Sequence, residues 1–217
     1  DQFYTGDPLS PGWASKPGTR RLTRAEAQGL VTIPVLSISY AVVCLQKEAL
    51  EGPVVPSDSW KGALGLTYHV GPSRAKVHMR VRSEWKNRPL YDVVARMPGA
   101  TRPDEWIIIG NHHDAWVNGA NDPLSGASAL LETARTLSVL GKRGWRPKRS
   151  ILFALWDAEE FGLVGSTEYA EALKARLRDE LLLYVNIDMY MKGHFDPGGV
   201  PSLSAFVTDV AKDVPQG

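Results

Sequence analysis

After Pro89 the sequence alternates short, nearly continuous apolar runs with segments of helical periodicity, and this alternation limits the fold more than any other feature. Leu90 to Met97, Trp106 to Gly110, Ser150 to Leu155 and Leu181 to Ile187 read as strands covered on both faces. Between them, Ser125 to Leu140 carries Ala127, Leu130, Leu131, Ala134 and Leu137 at helical spacing, and Ser166 to about Arg178 is helical too. Strands alternating with helices predict an α/β sandwich with a mixed, mainly parallel sheet.

The residues up to Asn87 have a different character. Two glycines and two prolines make Gly6-Asp7-Pro8-Leu9-Ser10-Pro11-Gly12 a loop. Ile33 to Ile38 reads as a short strand, and Ser39 is placed to cap a helix reaching about Leu50, where Gly52 and Pro53 end it. Ala75 to Arg82 alternates strictly, Val77, Met79 and Val81 against Lys76, His78, Arg80 and Arg82, and so predicts a half-exposed antiparallel strand.

Charge excludes some partners. With 25 Lys and Arg against 24 Asp and Glu, the net charge of +1 gives no reason to expect nucleic acid. The basic run Lys142, Arg143, Arg146, Lys148 and Arg149 reads as a solvated connection. No apolar run approaches the ~20 residues of a membrane span, and Asp1 begins no signal peptide, so no membrane contact is expected from this segment. Cys44 is the one cysteine and reads as a structural thiol.

Residues suited to metals stand where three apolar runs end. One run passes into Asn111-His112-His113-Asp114, another into Asp157-Ala158-Glu159-Glu160, and a third into Asp188. In open α/β sheets ligands bind beyond the carboxyl ends of strands, so the three loops should converge. An imidazole among carboxylates is a mixed nitrogen and oxygen set that suits zinc better than calcium or magnesium. His112 is preferred over His113, because Asp114 can accept its other ring N–H and hold the tautomer. Asp122 reads either as a carboxylate bridging two metals or as a cap for the following helix. Adjacent Glu159 and Glu160 can divide labour, one binding metal while the other serves as general base.

These residues, with Ala115-Trp116-Val117, Gly119-Ala120-Asn121-Asp122-Pro123-Leu124-Ser125-Gly126-Ala127, Gly144-Trp145-Arg146-Pro147 and Phe161-Gly162 to Gly165-Ser166-Thr167-Glu168, resemble the glutamate carboxypeptidase (folate hydrolase) and transferrin receptor superfamily. The similarity runs through nearly the whole chain, including Gly6 to Gly12, Ile33-Pro34-Val35 and Val70-Gly71-Pro72. The resemblance implies a zinc-exopeptidase-type sandwich, with residues 1–87 as part of a protease-associated (apical) domain and 88–217 as the first half of the peptidase domain. It implies a two-zinc carboxypeptidase or aminopeptidase that hydrolyses a terminal bond of a peptide or acyl-amino-acid substrate by a zinc-bridged hydroxide. His112, Asp122 and Asp188 would hold one zinc, Asp122 would bridge to a second held by Glu160, and Glu159 would be the catalytic base. The Asp122–Pro123 bond falls where such enzymes often place a cis peptide.

The same resemblance implies a structural calcium held by Glu168 and Glu171, with oxygens from Ser10 and Trp13. It further implies a homodimeric full-length protein, in an extracellular or membrane-anchored ectodomain. A last zinc ligand, a histidine beyond Gly217, is expected to be missing, which would leave the site of this segment incomplete. The alternative is a non-catalytic, transferrin receptor-like protein of the same fold; the joint presence of His112, Asp122, Glu159, Glu160 and Asp188 weighs against it.

Overall fold

A computed structural model describes residues 5–190 and 197–214. The chain forms two compact units, one of residues 1–30 with 88–217 and the other of residues 31–87. One boundary falls at 87/88, and residues 1–30 group with residues 88–217. Gly6 N–H donates to the carbonyl of Gly162 (3.0 Å), and Asp7 N–H to the carboxylate of Glu168 (2.8 Å). Such contacts, 161 residues apart in one case, leave no trace in local sequence pattern.

In the 31–87 unit, helix α1 spans Tyr40–Glu48. Ser39 occupies its N-cap position without a side-chain hydrogen bond there. The two strands expected in this unit do not form. Ile33 is 71% exposed and Val77 70% exposed, and neither stretch finds a ladder partner among the described residues. Alternation creates a face for a strand, but without a neighbour its backbone N–H and C=O groups remain with water. An isolated antiparallel bridge joins Val54 and His69, beside buried Val55 and Tyr68.

The other unit is built on four strands, β1 (Val93–Met97), β2 (Arg102–His112), β3 (Arg149–Trp156) and β4 (Leu181–Asn186). Their order is β1-β3-β2-β4. β2 is parallel to both β3 and β4, while β1 is antiparallel to β3, so the sheet is mixed and mainly parallel, as expected. The expected runs fall short of β2 at both ends and of β3 by one residue at each end, while β1 starts three residues late and β4 stops one residue early.

The chain passes from β2 through α2 (Leu124–Lys142) to β3 on one side. It then passes through α3 (Val164–Ala172) and α4 (Lys174–Glu180) to β4 on the other side of β2. Parallel crossovers are right-handed as a rule, and two that run in opposite directions then place their helices on opposite faces of a sheet. The order reverses at β2, and the carboxyl end beside such a reversal is where open α/β sheets leave a crevice. The expected single helix from Ser166 is thus two, meeting at Leu173. A last helix, α5, spans Ser204–Asp213.

Trp106 and Ile108 of β2 and Leu152, Ala154 and Trp156 of β3 make the core, with Tyr169, Leu177 and Leu181 against it. Each large apolar side chain buried there contributes about 1.5–3 kcal/mol. Only β2 and β3 are covered well; β1 and β4 are the sheet's edges and stay largely exposed, contrary to the expectation of four strands covered on both faces.

Candidate metal centre

The register of the two central strands sets the site. His112 pairs with Trp156, so the end of β2 lies beside the turn that carries Glu159 and Glu160. Gly110 pairs with Asn186, and two residues past β4 comes Asp188. Asp122 arrives on the loop before α2, and its bond to Pro123 is cis.

These elements bring together one ligand atom each from His112, Asp122 and Asp188, all within 4.8 Å of one another. His112 is 3% exposed. Its Nε2 lies 3.0 Å from Asp122 Oδ1 and 3.1 Å from Asp188 Oδ1. Glu159 Oε2 stands farther off, 3.9 Å from the same nitrogen. Glu160 is not part of the cluster of three. One imidazole with two convergent carboxylates is a donor set that can hold a metal ion.

Asp114 faces both the imidazole of His112 and the turn after β3. The nearest acceptor for His112 Nδ1 is the main-chain oxygen of Asp114 at 3.0 Å, with its carboxylate at 3.4 Å. That carboxylate also accepts from the backbone N–H groups of Glu159 (2.9 Å) and Glu160 (3.2 Å). It therefore fastens the β3 turn to the β2 loop. The turn is tight, with Ala158 at φ 54° and Leu163 at φ 55°, conformations that cost of order 1–3 kcal/mol each outside glycine. The amides of Gly162 and Leu163 close it by donating to the carbonyl of Glu159, both at 2.8 Å.

The electrostatics follow from this crowding. Burial opposes the charged imidazole of His112, but the carboxylates of Glu159, Asp188 and Asp114 together raise its pKa above the ordinary value. Burial raises the Glu159 carboxyl, and the negative charges of Asp188, Glu160 and Asp114 add to that against the opposing pull of His112.

The second set of expected ligands lies where the N-terminal loop meets α3. Glu168 accepts from the amides of Asp7 (2.8 Å) and Ser15 (2.5 Å). Ser10 Oγ and Glu171 Oε2 are buried without a hydrogen-bond partner, and burial raises the Glu171 carboxyl. The Trp13 ring donates to the carbonyl of Arg20 (2.9 Å).

Sequence reasoning gave no role to Asn111, which is fully buried behind His112. A polar residue inside the last turn of an apolar strand was the available signal. Gly126, in the first turn of α2, lies against the backbone of Ile187 and Asp188.

Residues 92–206 match Peptidase family M28, which is more than half of the chain. The chain belongs to peptidase family M28. Within and around that M28 span, it is 37% identical over 214 residues to "Probable glutamate carboxypeptidase VP8" of Zea mays, covering 96% of this chain and 30% of that protein. It is 38% identical over 225 residues to "Aminopeptidase NAALADL1" of Rattus norvegicus, covering 97% of this chain and 30% of that one. The M28 chain thus spans about 30% of the length of these relatives, and the resemblance to glutamate carboxypeptidases holds along nearly all of it. A solved M28 peptidase precursor from Shewanella amazonensis SB2B is 28% identical, with TM-score 0.47, over 56% of this chain and 28% of that one. No helix among the described residues is long and apolar enough to cross a membrane.

Proposed function

We propose that the protein is a zinc-dependent exopeptidase that hydrolyses a terminal peptide bond, with His112, Asp122 and Asp188 holding one zinc and Glu159 serving as general base. The observation that carries the reading is the convergence of the three donors on one another, with Glu159 Oε2 just outside them. Asp122, 48% exposed at its side chain, would be shared with a second zinc held by Glu160. When bound, zinc supplies Lewis-acid polarisation of a carbonyl and a lowered pKa for water.

The chain's own groups do the rest. Glu159 takes a proton from the attacking water and returns it to the leaving amine; its raised pKa brings it nearer the working pH, where a base is most effective. Asp114 holds the Glu159 amide, so the base keeps its place against the cluster. The buried, unpartnered oxygens of Ser10 and Glu171 are the kind of donors a calcium would satisfy, together with Glu168 and main-chain oxygen at Trp13. To the same reading belong residues 1–87 as part of a protease-associated domain, a homodimeric full-length assembly and an extracellular or membrane-anchored setting, all on the strength of the resemblance.

The names of the relatives include both carboxypeptidase and aminopeptidase. Dipeptides with a blocked amine and dipeptide amides with a free amine therefore form the two arms of the test. Release of the terminal residue in either arm, abolished by chelator and restored by zinc, is the expected result. A protein that binds zinc but cleaves neither series would be receptor-like, and one that binds no zinc would end the proposal.

Zinc binding should also depend on pH in a definite direction. The metal needs a neutral imidazole, so it must displace the proton that the raised pKa of His112 favours. Affinity is then full above that pKa and falls below it by roughly tenfold per pH unit for one displaced proton. Calorimetric titration in buffers of differing ionisation enthalpy would count the proton released. Affinity that stays flat between about pH 5 and 8 would contradict His112 as a ligand.

A further inference from the structure

We propose that Asn111 is the positioning residue of this centre, its one buried amide tying together the three chain segments that carry His112, Asp122 and Asp188. The proposal rests on the metal reading above.

Asn111 is 0% exposed, and its side chain makes three hydrogen bonds. Oδ1 accepts from the backbone N–H of His112 at 2.7 Å. Nδ2 donates to the carbonyl of Pro123 at 3.0 Å and to the carbonyl of Asp188 at 3.2 Å. The partners stand 1, 12 and 77 residues away, and each is a residue of the cluster or its immediate neighbour. Two carbonyls and one N–H around a single amide also fix which end of it is nitrogen.

The end of β4 explains the need for this side chain. Gly110 pairs with Asn186, and Ile187 N–H still donates to the carbonyl of Gly110 (2.9 Å). Beyond that point β4 leaves the ladder, so the His112 N–H on the same side of β2 has no strand carbonyl to meet. A buried N–H without an acceptor is costly, and Asn111 supplies the acceptor from its own side chain. The amide's two donors then reach past the lost strand to hold the segments that replace it. An ionised aspartate offers no donor, and leucine offers neither donor nor acceptor, so neither can hold all three segments.

Asn111→Ala and Asn111→Ser separate positioning from simple core filling. Three readouts apply: zinc affinity by competition with a chromophoric chelator, the visible absorption of the cobalt-loaded protein, and amide hydrogen exchange of the metal-free protein. We expect zinc to bind about 10–100-fold more weakly in both variants, as for other partners that orient metal ligands. The cobalt bands should shift, and the amides of Asp122, Leu124, Ile187 and Asp188 should exchange faster while those of Ile107 to Ile109 do not change. Unchanged zinc affinity would overturn the proposal. So would a general loss of stability with an unaltered cobalt spectrum and evenly faster exchange along β2, or failure of both variants to fold in saturating zinc. If the unsubstituted protein binds no zinc, the metal reading falls, and the exchange pattern alone then decides whether Asn111 holds the three segments.

Discussion

Glu159→Gln is expected to lower turnover by about 10²–10⁴-fold, the range set by loss of a positioned general base, while zinc stays bound. The substitution keeps the side chain's shape while removing its negative charge and, with it, its capacity to take a proton. Glu159 is not one of the three convergent donors, its nearest oxygen being 3.9 Å from His112 Nε2, so the cluster itself is untouched. Its backbone N–H also keeps its bond to Asp114, which does not depend on the side chain. Steady-state kinetics together with metal analysis of the same preparation would check the outcome. Zinc retained with near-normal hydrolysis would remove Glu159 from the mechanism, whereas zinc lost together with activity would make it a ligand.

Gly126→Ala should be nearly as damaging, although glycine to alanine in a helix ordinarily helps by about 0.5–1 kcal/mol. A Cβ at Gly126 would lie 2.1 Å from the Ile187 carbonyl oxygen and 2.2 Å from that of Asp188, far inside contact distance. Both obstacles are backbone, so α2 or the 187–188 segment must move by an amount of order an ångström. Overpacking of this kind costs about 1–3 kcal/mol, which exceeds the helical gain. Misplacing a reacting group by about 1 Å costs on the order of 10²-fold in rate, and Asp188 is the group displaced. Thermal unfolding, zinc affinity and turnover of the variant should therefore all fall. A variant more stable than the parent, with unchanged zinc affinity, would mean that the close approach of α2 to Asp188 plays no part in the site.

The two effects differ in what the sequence discloses about them. Glu159 stands in an acidic tetrad after an apolar run, so its candidacy is visible from residue types alone. Gly126 is one glycine in a helical segment, and nothing local says that a backbone 61 residues further on rests against it. Asp114 falls between these cases. Its spacing from His112 puts it beside the imidazole, but its carboxylate also accepts from amides 45 and 46 residues away. Similarly, Ala75 to Arg82 has the alternation of a strand and lacks a ladder partner among the described residues, since pairing is a property of two segments.

Hydrophobic periodicity by itself determined the four strands of the sheet, α2 and the positions at which acidic residues and His112 leave the strands, because burial on a repeating backbone is a local demand. Residue types by themselves determined that the site would be rich in carboxylates around one imidazole. Only the tertiary structure decided the strand order that sets β2 between β3 and β4, the attachment of residues 1–30 to α3, and the binding of three segments by Asn111. The physical reason is that a hydrogen bond or a close contact is settled by distance in space, and residues 12, 77 or 161 positions apart have no distance until the chain has folded.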